Sequence, residues 1–154
     1  MGIQKLKKRF VLVAAGFGIS ALSILLLPFA QDKEQELTTA GYAMGILFWA
    51  GMIAGIIGYI VLKKQTREIV NHRQYKKQPA ARNYFFSSKP VMIADFIMLV
   101  SFTATIYYAV RVAADQTIAL VFMFLFVTGI YAHFLLNSKI FRCIYQNKLR
   151  EERE

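Results

Sequence analysis

Residues 91–139 read VMIADFIMLVSFTATIYYAVRVAADQTIALVFMFLFVTGIYAHFLLNSK, two apolar runs joined by the short segment Val112-Ala113-Ala114-Asp115-Gln116. Each run is about 20 residues long, the length needed to carry a helix across a bilayer core at 1.5 Å per residue. The stretch therefore reads as a pair of antiparallel helices in a membrane. It also holds Asp95, the one acid inside an apolar run, and His133, the one histidine inside one.

Two further runs precede it. Phe10 to Ala30 is uncharged and follows a basic start with Lys5, Lys7, Lys8 and Arg9. It exceeds the 7–15 residues of a secretory h-region, and Leu27-Pro28-Phe29-Ala30 is a poor cleavage site, so the expectation is a retained first helix. Gly41 to Leu62 is the second span and is rich in small residues. Gly41 and Gly45, then Gly51 and Gly55, are spaced four apart, with Gly58 in a neighbouring row. Small residues at that spacing let helix backbones approach closely, so these glycines form a candidate packing face, toward the protein's own helices or a partner.

The whole chain of 154 residues reads as a single membrane domain, an all-α antiparallel four-helix transmembrane bundle with spans near 10–30, 41–62, 91–110 and 116–137. Hydrophobic residues make up 56% of it and the mean hydropathy is +0.41, too apolar for a soluble domain of this size. The net charge of +10 is a footprint that nucleic-acid binders share, but here the cations sit at the ends of apolar runs, where topology places them. Nucleic acid is therefore not an expected partner.

Positive residues near span ends stay on the cytoplasmic side. The amino end carries four and the loop between the second and third spans carries eight: Lys63, Lys64, Arg67, Arg73, Lys76, Lys77, Arg82 and Lys89. The tail from Ser138 carries five, whereas the other two connections hold one each, Lys33 and Arg111. The alternation predicts both termini in the cytoplasm. It also makes the central loop a candidate contact for anionic lipid headgroups or a partner protein. In that loop Pro79 interrupts any continuation of the second helix, and Ser87-Ser88 before Pro90 suits a helix start. Asp115 is a candidate N-cap for the fourth span, and the tail is expected to be a short helical extension that frays.

Asp95 lies about one turn after Pro90, and His133 about one turn before Asn137 and Ser138. In antiparallel neighbours the two fall at similar depth, and Asn137 shares the face of His133. Ionisable groups at membrane depth are costly and mark solute or proton paths, and a carboxylate beside an imidazole could form a pH-sensitive switch. The plainer reading is a structural pair near the interface, with Asp95 favoured by the positive end of its helix.

Chemical motifs are missing. The chain has no phosphate-binding glycine loop, no metal-ligand spacing and no nucleophile motif with a base. Its lone cysteine, Cys143, cannot form an intrachain disulfide or a cysteine-based zinc site. No cofactor, metal or catalytic residue is expected.

Phe85-Phe86-Ser87-Ser88-Lys89-Pro90 leading to Ile93-Ala94-Asp95, and Ala132-His133-Phe134-Leu135-Leu136-Asn137-Ser138-Lys139, resemble the loop-to-third-span junction and the fourth-span end of small four-span membrane proteins of Firmicutes. The second pattern there is similar to His-x-x-Leu-Asn-Gly-Lys, and this chain has Ser138 in place of the glycine. The resemblance covers roughly the second half of the chain. It implies a bacterial origin and a plasma-membrane location, and carries no activity.

The leading functional expectation is a non-catalytic membrane protein that acts through interaction, as an accessory subunit or an immunity-type protein, with another membrane protein or its own copies as partner. The alternative is a small homo-oligomeric transporter or channel using Asp95 and His133. An intramembrane enzyme ranks third.

Overall fold

The computed structural model describes residues 3–30, 38–67, 85–86, 88–111 and 116–151. Among the described residues there are five α-helices: α1 (Ile3–Leu26), α2 (Thr39–Gln65), α3 (Lys89–Arg111), α4 (Gln116–Leu136) and α5 (Lys139–Glu151). A short 3-10 turn, Leu27–Ala30, follows α1. No strand occurs among the described residues. The first four helices are long and apolar enough to cross a membrane.

Local chemistry sets the ends of these helices. Pro28 lacks an N–H and cannot continue α1, so the chain tightens into the 3-10 turn. Thr38 then caps α2, its hydroxyl oxygen accepting from the Gly41 N–H at 3.4 Å. The same hydroxyl donates to the Ala30 carbonyl at 2.5 Å, and the Thr38 N–H donates there too, at 3.1 Å. One residue thus starts α2 and ties it to the end of α1. At its far end α2 closes on Thr66, whose hydroxyl donates to the Leu62 carbonyl at 2.7 Å. Helix α1 begins at Ile3, well before the apolar run at Phe10, because its basic first turns hide one residue: Leu6 is fully buried while Lys5, Lys7 and Lys8 are exposed.

The helices are ordered α2, α1, α4, α3 across the molecule, since α1 packs on both α2 and α4, and α3 packs on α4. Contacts between α1 and α2 run in opposite chain directions. Gly51 lies against Gly16 and Ser20, Gly55 against Phe17, and Gly58 against Val13. A Cβ at Gly51 would sit 2.8 Å from the Gly16 carbonyl oxygen and from the Ser20 nitrogen, so the two backbones touch. Helices α3 and α4 also run oppositely, with Gly129 on Met98, Phe102 on Phe126 at 5.1 Å and Tyr108 stacked on Phe122 at 5.5 Å. The two hairpins meet where Ser20 and Tyr131 share a hydrogen bond at 3.0 Å and the Phe17 and Tyr131 rings approach to 4.7 Å.

The tail forms the short helical extension expected of it, α5, and its first turns are docked on the bundle. Ser138 ends α4 and caps α5, its hydroxyl donating to the Leu135 carbonyl at 2.6 Å and accepting from the Phe141 N–H at 3.0 Å. Ile140 and Cys143 then lie on one face of α5 and are about 1% exposed, packed with Leu6, Val13 and Leu62. The charged composition of the tail concealed a short apolar stripe, enough to dock a helix. Cys143 is part of this small core.

Burial within the chain is low. Of the four candidate spans, 28% of the most enclosed and 11% of the least enclosed is buried. Large apolar side chains such as Leu12, Ile46, Trp49 and Phe96 stand more than half exposed. An apolar exterior on this scale requires lipid or protein to cover it.

Candidate functional site

Asp95 is fully buried, on the second turn of α3. Its helix starts with the Ser88 carbonyl accepting from the Met92 N–H at 2.8 Å. Both carboxylate oxygens are engaged by the chain itself. Oδ1 faces His133 Nδ1 at 2.5 Å, and Oδ2 accepts the Phe86 N–H at 2.6 Å. Phe86 has a φ of 56°, a left-handed conformation that a side chain with a Cβ adopts at a cost. That bend aims its N–H at the carboxylate, and such a cost is sustained only where the surroundings hold it.

His133, 9% exposed, projects from the last two turns of α4. With Nδ1 donating to Asp95, Nε2 is left to accept from Asn137 Nδ2 at 3.3 Å, one turn further along the same face. The Phe85 ring covers the imidazole at a centroid distance of 4.9 Å. The result is a closed cluster in which the chain segment leading into α3, the start of α3 and the end of α4 are held by one carboxylate. A charge buried in this way needs all its partners, because an isolated carboxylate out of water is very unfavourable.

The structure therefore brings together Asp95 and His133, which the sequence puts at similar depth, and Asn137, which it puts on the face of His133. It divides the glycine set. Gly51 and Gly55 are buried against α1 and Gly58 meets Val13, whereas Gly45 faces open space. Gly41 is buried at the start of α2 and takes part in its cap. The small-residue face is used within the chain along its second half only. Of the basic set, Lys63, Lys64, Arg67 and Lys89 are exposed. Arg73, Lys76, Lys77 and Arg82 lie outside the described residues, as do Asp115, Pro79 and Ser87.

No family model, curated protein or solved structure matches the chain. Function therefore rests on this geometry alone.

Several contributors were not singled out from sequence. Phe85 and Phe86 enter the sequence reading only through the resemblance at the loop-to-third-span junction, yet they close the cluster through a ring and a backbone N–H. Gly16 and Gly129 are the counterparts that let α1 and α4 approach their neighbours, and a glycine within a span was the available signal. Ser138 stands where the resemblance has glycine, and its hydroxyl supplies the cap of α5. Among the described residues no three His, Cys, Asp or Glu side chains converge.

Proposed function

We propose that this chain is a non-catalytic, multi-pass plasma-membrane protein of bacterial type that works by interaction, as an accessory subunit or immunity-type protein. Its four spans form an antiparallel bundle with both termini, the central loop and α5 in the cytoplasm. The distribution of Lys and Arg supports that orientation, since the richly basic segments all fall at the helix ends where Asp95 and His133 lie.

The observation that carries the reading is the closure of the polar cluster. Asp95 is fully buried with each of its oxygens taken by the chain, one by His133 and one by the Phe86 N–H. A carboxylate so engaged serves as a clasp rather than as a binding group. The uncovered apolar flanks of α2 and α3 supply the surface through which such a protein meets lipid or a partner.

Mild-detergent purification from the native host, with the composition of the complex read by mass spectrometry, tests this. A second membrane protein recovered in fixed proportion is the expected result. A lone monomer with no cross-linked partner removes the interaction reading.

One feature favours the alternative of a homo-oligomeric transporter or channel: the Asp95–His133 pair lies inside a candidate span, where ionisable groups mark ion paths. Flux in proteoliposomes that disappears in Asp95→Asn and His133→Ala would select that reading instead.

A further inference from the structure

Because α1 stands between α2 and α4, these two helices leave a groove between them, and at one end it opens into a cleft of about 750 Å³. Lys63, Lys64 and Arg67 line one wall, from the last turn of α2 and just beyond it, and Lys139 and Arg142 line the other, from the first turns of α5. Among the described residues no acidic one lines it. Lys63, Lys64, Arg67 and Lys139 make no ion pair among the described residues. Arg142 donates to the Asn137 carbonyl at 3.2 Å, which holds its guanidinium at the mouth.

A second observation sits in the same place. The amino end of α5, a helix of 13 residues capped by Ser138, borders this cleft through Ser138, Lys139 and Ile140. Its positive dipole end adds to the five cations. Ser138 also shares a side-chain hydrogen bond with Tyr59 of α2, which joins the two walls at the floor.

The vertical order of the lining residues narrows the ligand. Ile60 lies one turn before the lysines of α2 and is 59% exposed; Phe134 lies just over one turn before Lys139 and is 69% exposed. Apolar surface thus continues from the cleft along the spans, with the cations above it. A free anion has no use for that apolar track, whereas a phospholipid fills both parts, its phosphate among the cations and its acyl chain along Ile60 and Phe134. We infer that this cleft is a binding site for an anionic glycerophospholipid of the cytoplasmic leaflet. Basic pockets between spans on that side suit such headgroups. The inference rests on the orientation proposed above only for the choice of leaflet.

Native mass spectrometry of the detergent-purified protein, delipidated and then mixed with phosphatidylglycerol or phosphatidylcholine, tests the site. Three proteins are compared: the wild type, a Lys63→Gln/Lys64→Gln/Arg67→Gln variant, and a Lys5→Gln/Lys7→Gln/Lys8→Gln control that removes the same charge from exposed lysines of α1 outside the cleft lining. The expected result is a phosphatidylglycerol adduct retained by wild type and control and weakened at least about tenfold in the cleft variant. Equal weakening in the control, or equal retention of phosphatidylcholine, overturns the proposal. A third arm adds soluble glycerol phosphate, and displacement of the lipid by it would reassign the cleft to a soluble phosphate. Lipid retention read in detergent does not depend on partner recovery or on orientation, so failure here and failure of the interaction reading are separate results.

Discussion

Replacing Asp95 with alanine is expected to destabilise the folded protein by about 3–5 kcal/mol, the range found when one partner of a buried ionic pair is removed. The change leaves the Phe86 N–H without its acceptor and the His133 ring without the group that orients it. Phe86 then holds a left-handed backbone with nothing to sustain it. Asp95→Asn should cost less, about 1–3 kcal/mol, because the amide oxygen still accepts the Phe86 N–H while the charge-assisted bond to His133 is weakened. Thermal or denaturant unfolding in detergent measures both. An Asp95→Ala protein as stable as wild type would show that the cluster does not hold the hairpin of α3 and α4 together.

The second large effect is expected at Gly51. A leucine there places its Cβ 2.8 Å from backbone atoms of Gly16 and Ser20 before the rest of the side chain is considered, and backbone cannot rotate away. Helices α1 and α2 must separate, with a cost of about 1–3 kcal/mol for strain of this kind and more if the pair parts. Gly45→Ala is the matched control: no atom lies within 4 Å of the added carbon, and the change should stay within about 0.5 kcal/mol of wild type. Unfolding curves of the two variants side by side check the pairing. Equal effects in both would mean that close packing at Gly51 does not hold α1 and α2 together.

The two glycines also show how far a sequence carries a fold of this type. Four helices were legible because each is an apolar run of bilayer length, and run length needs no knowledge of neighbours. The order α2, α1, α4, α3 was not legible. These helices are apolar on nearly every side, so no polar face says which way each turns, and Gly45 and Gly51 look alike until α1 is beside them. The meeting of Asp95 with His133 could be anticipated from depth alone, since both lie one turn inside the same end of a hairpin. The role of Phe86 could not, because a positive φ is expected of glycine or asparagine rather than phenylalanine. The docking of α5 was hidden for a different reason. Ile140 and Cys143 lie in a strongly charged segment, and the residues they pack with, Leu6, Val13 and Leu62, come from two distant helices, Leu6 itself set among lysines.

Orientation underlies the functional proposal, the lipid cleft and the meaning of the basic residues alike. Single cysteines placed at Lys33 and Gln78 in a Cys143→Ser background, labelled with a membrane-impermeant maleimide in intact cells, report it directly. The proposed topology predicts labelling at position 33 in intact cells and at position 78 only after the membrane is opened. Labelling at 78 in intact cells, or protection at 33, would contradict it.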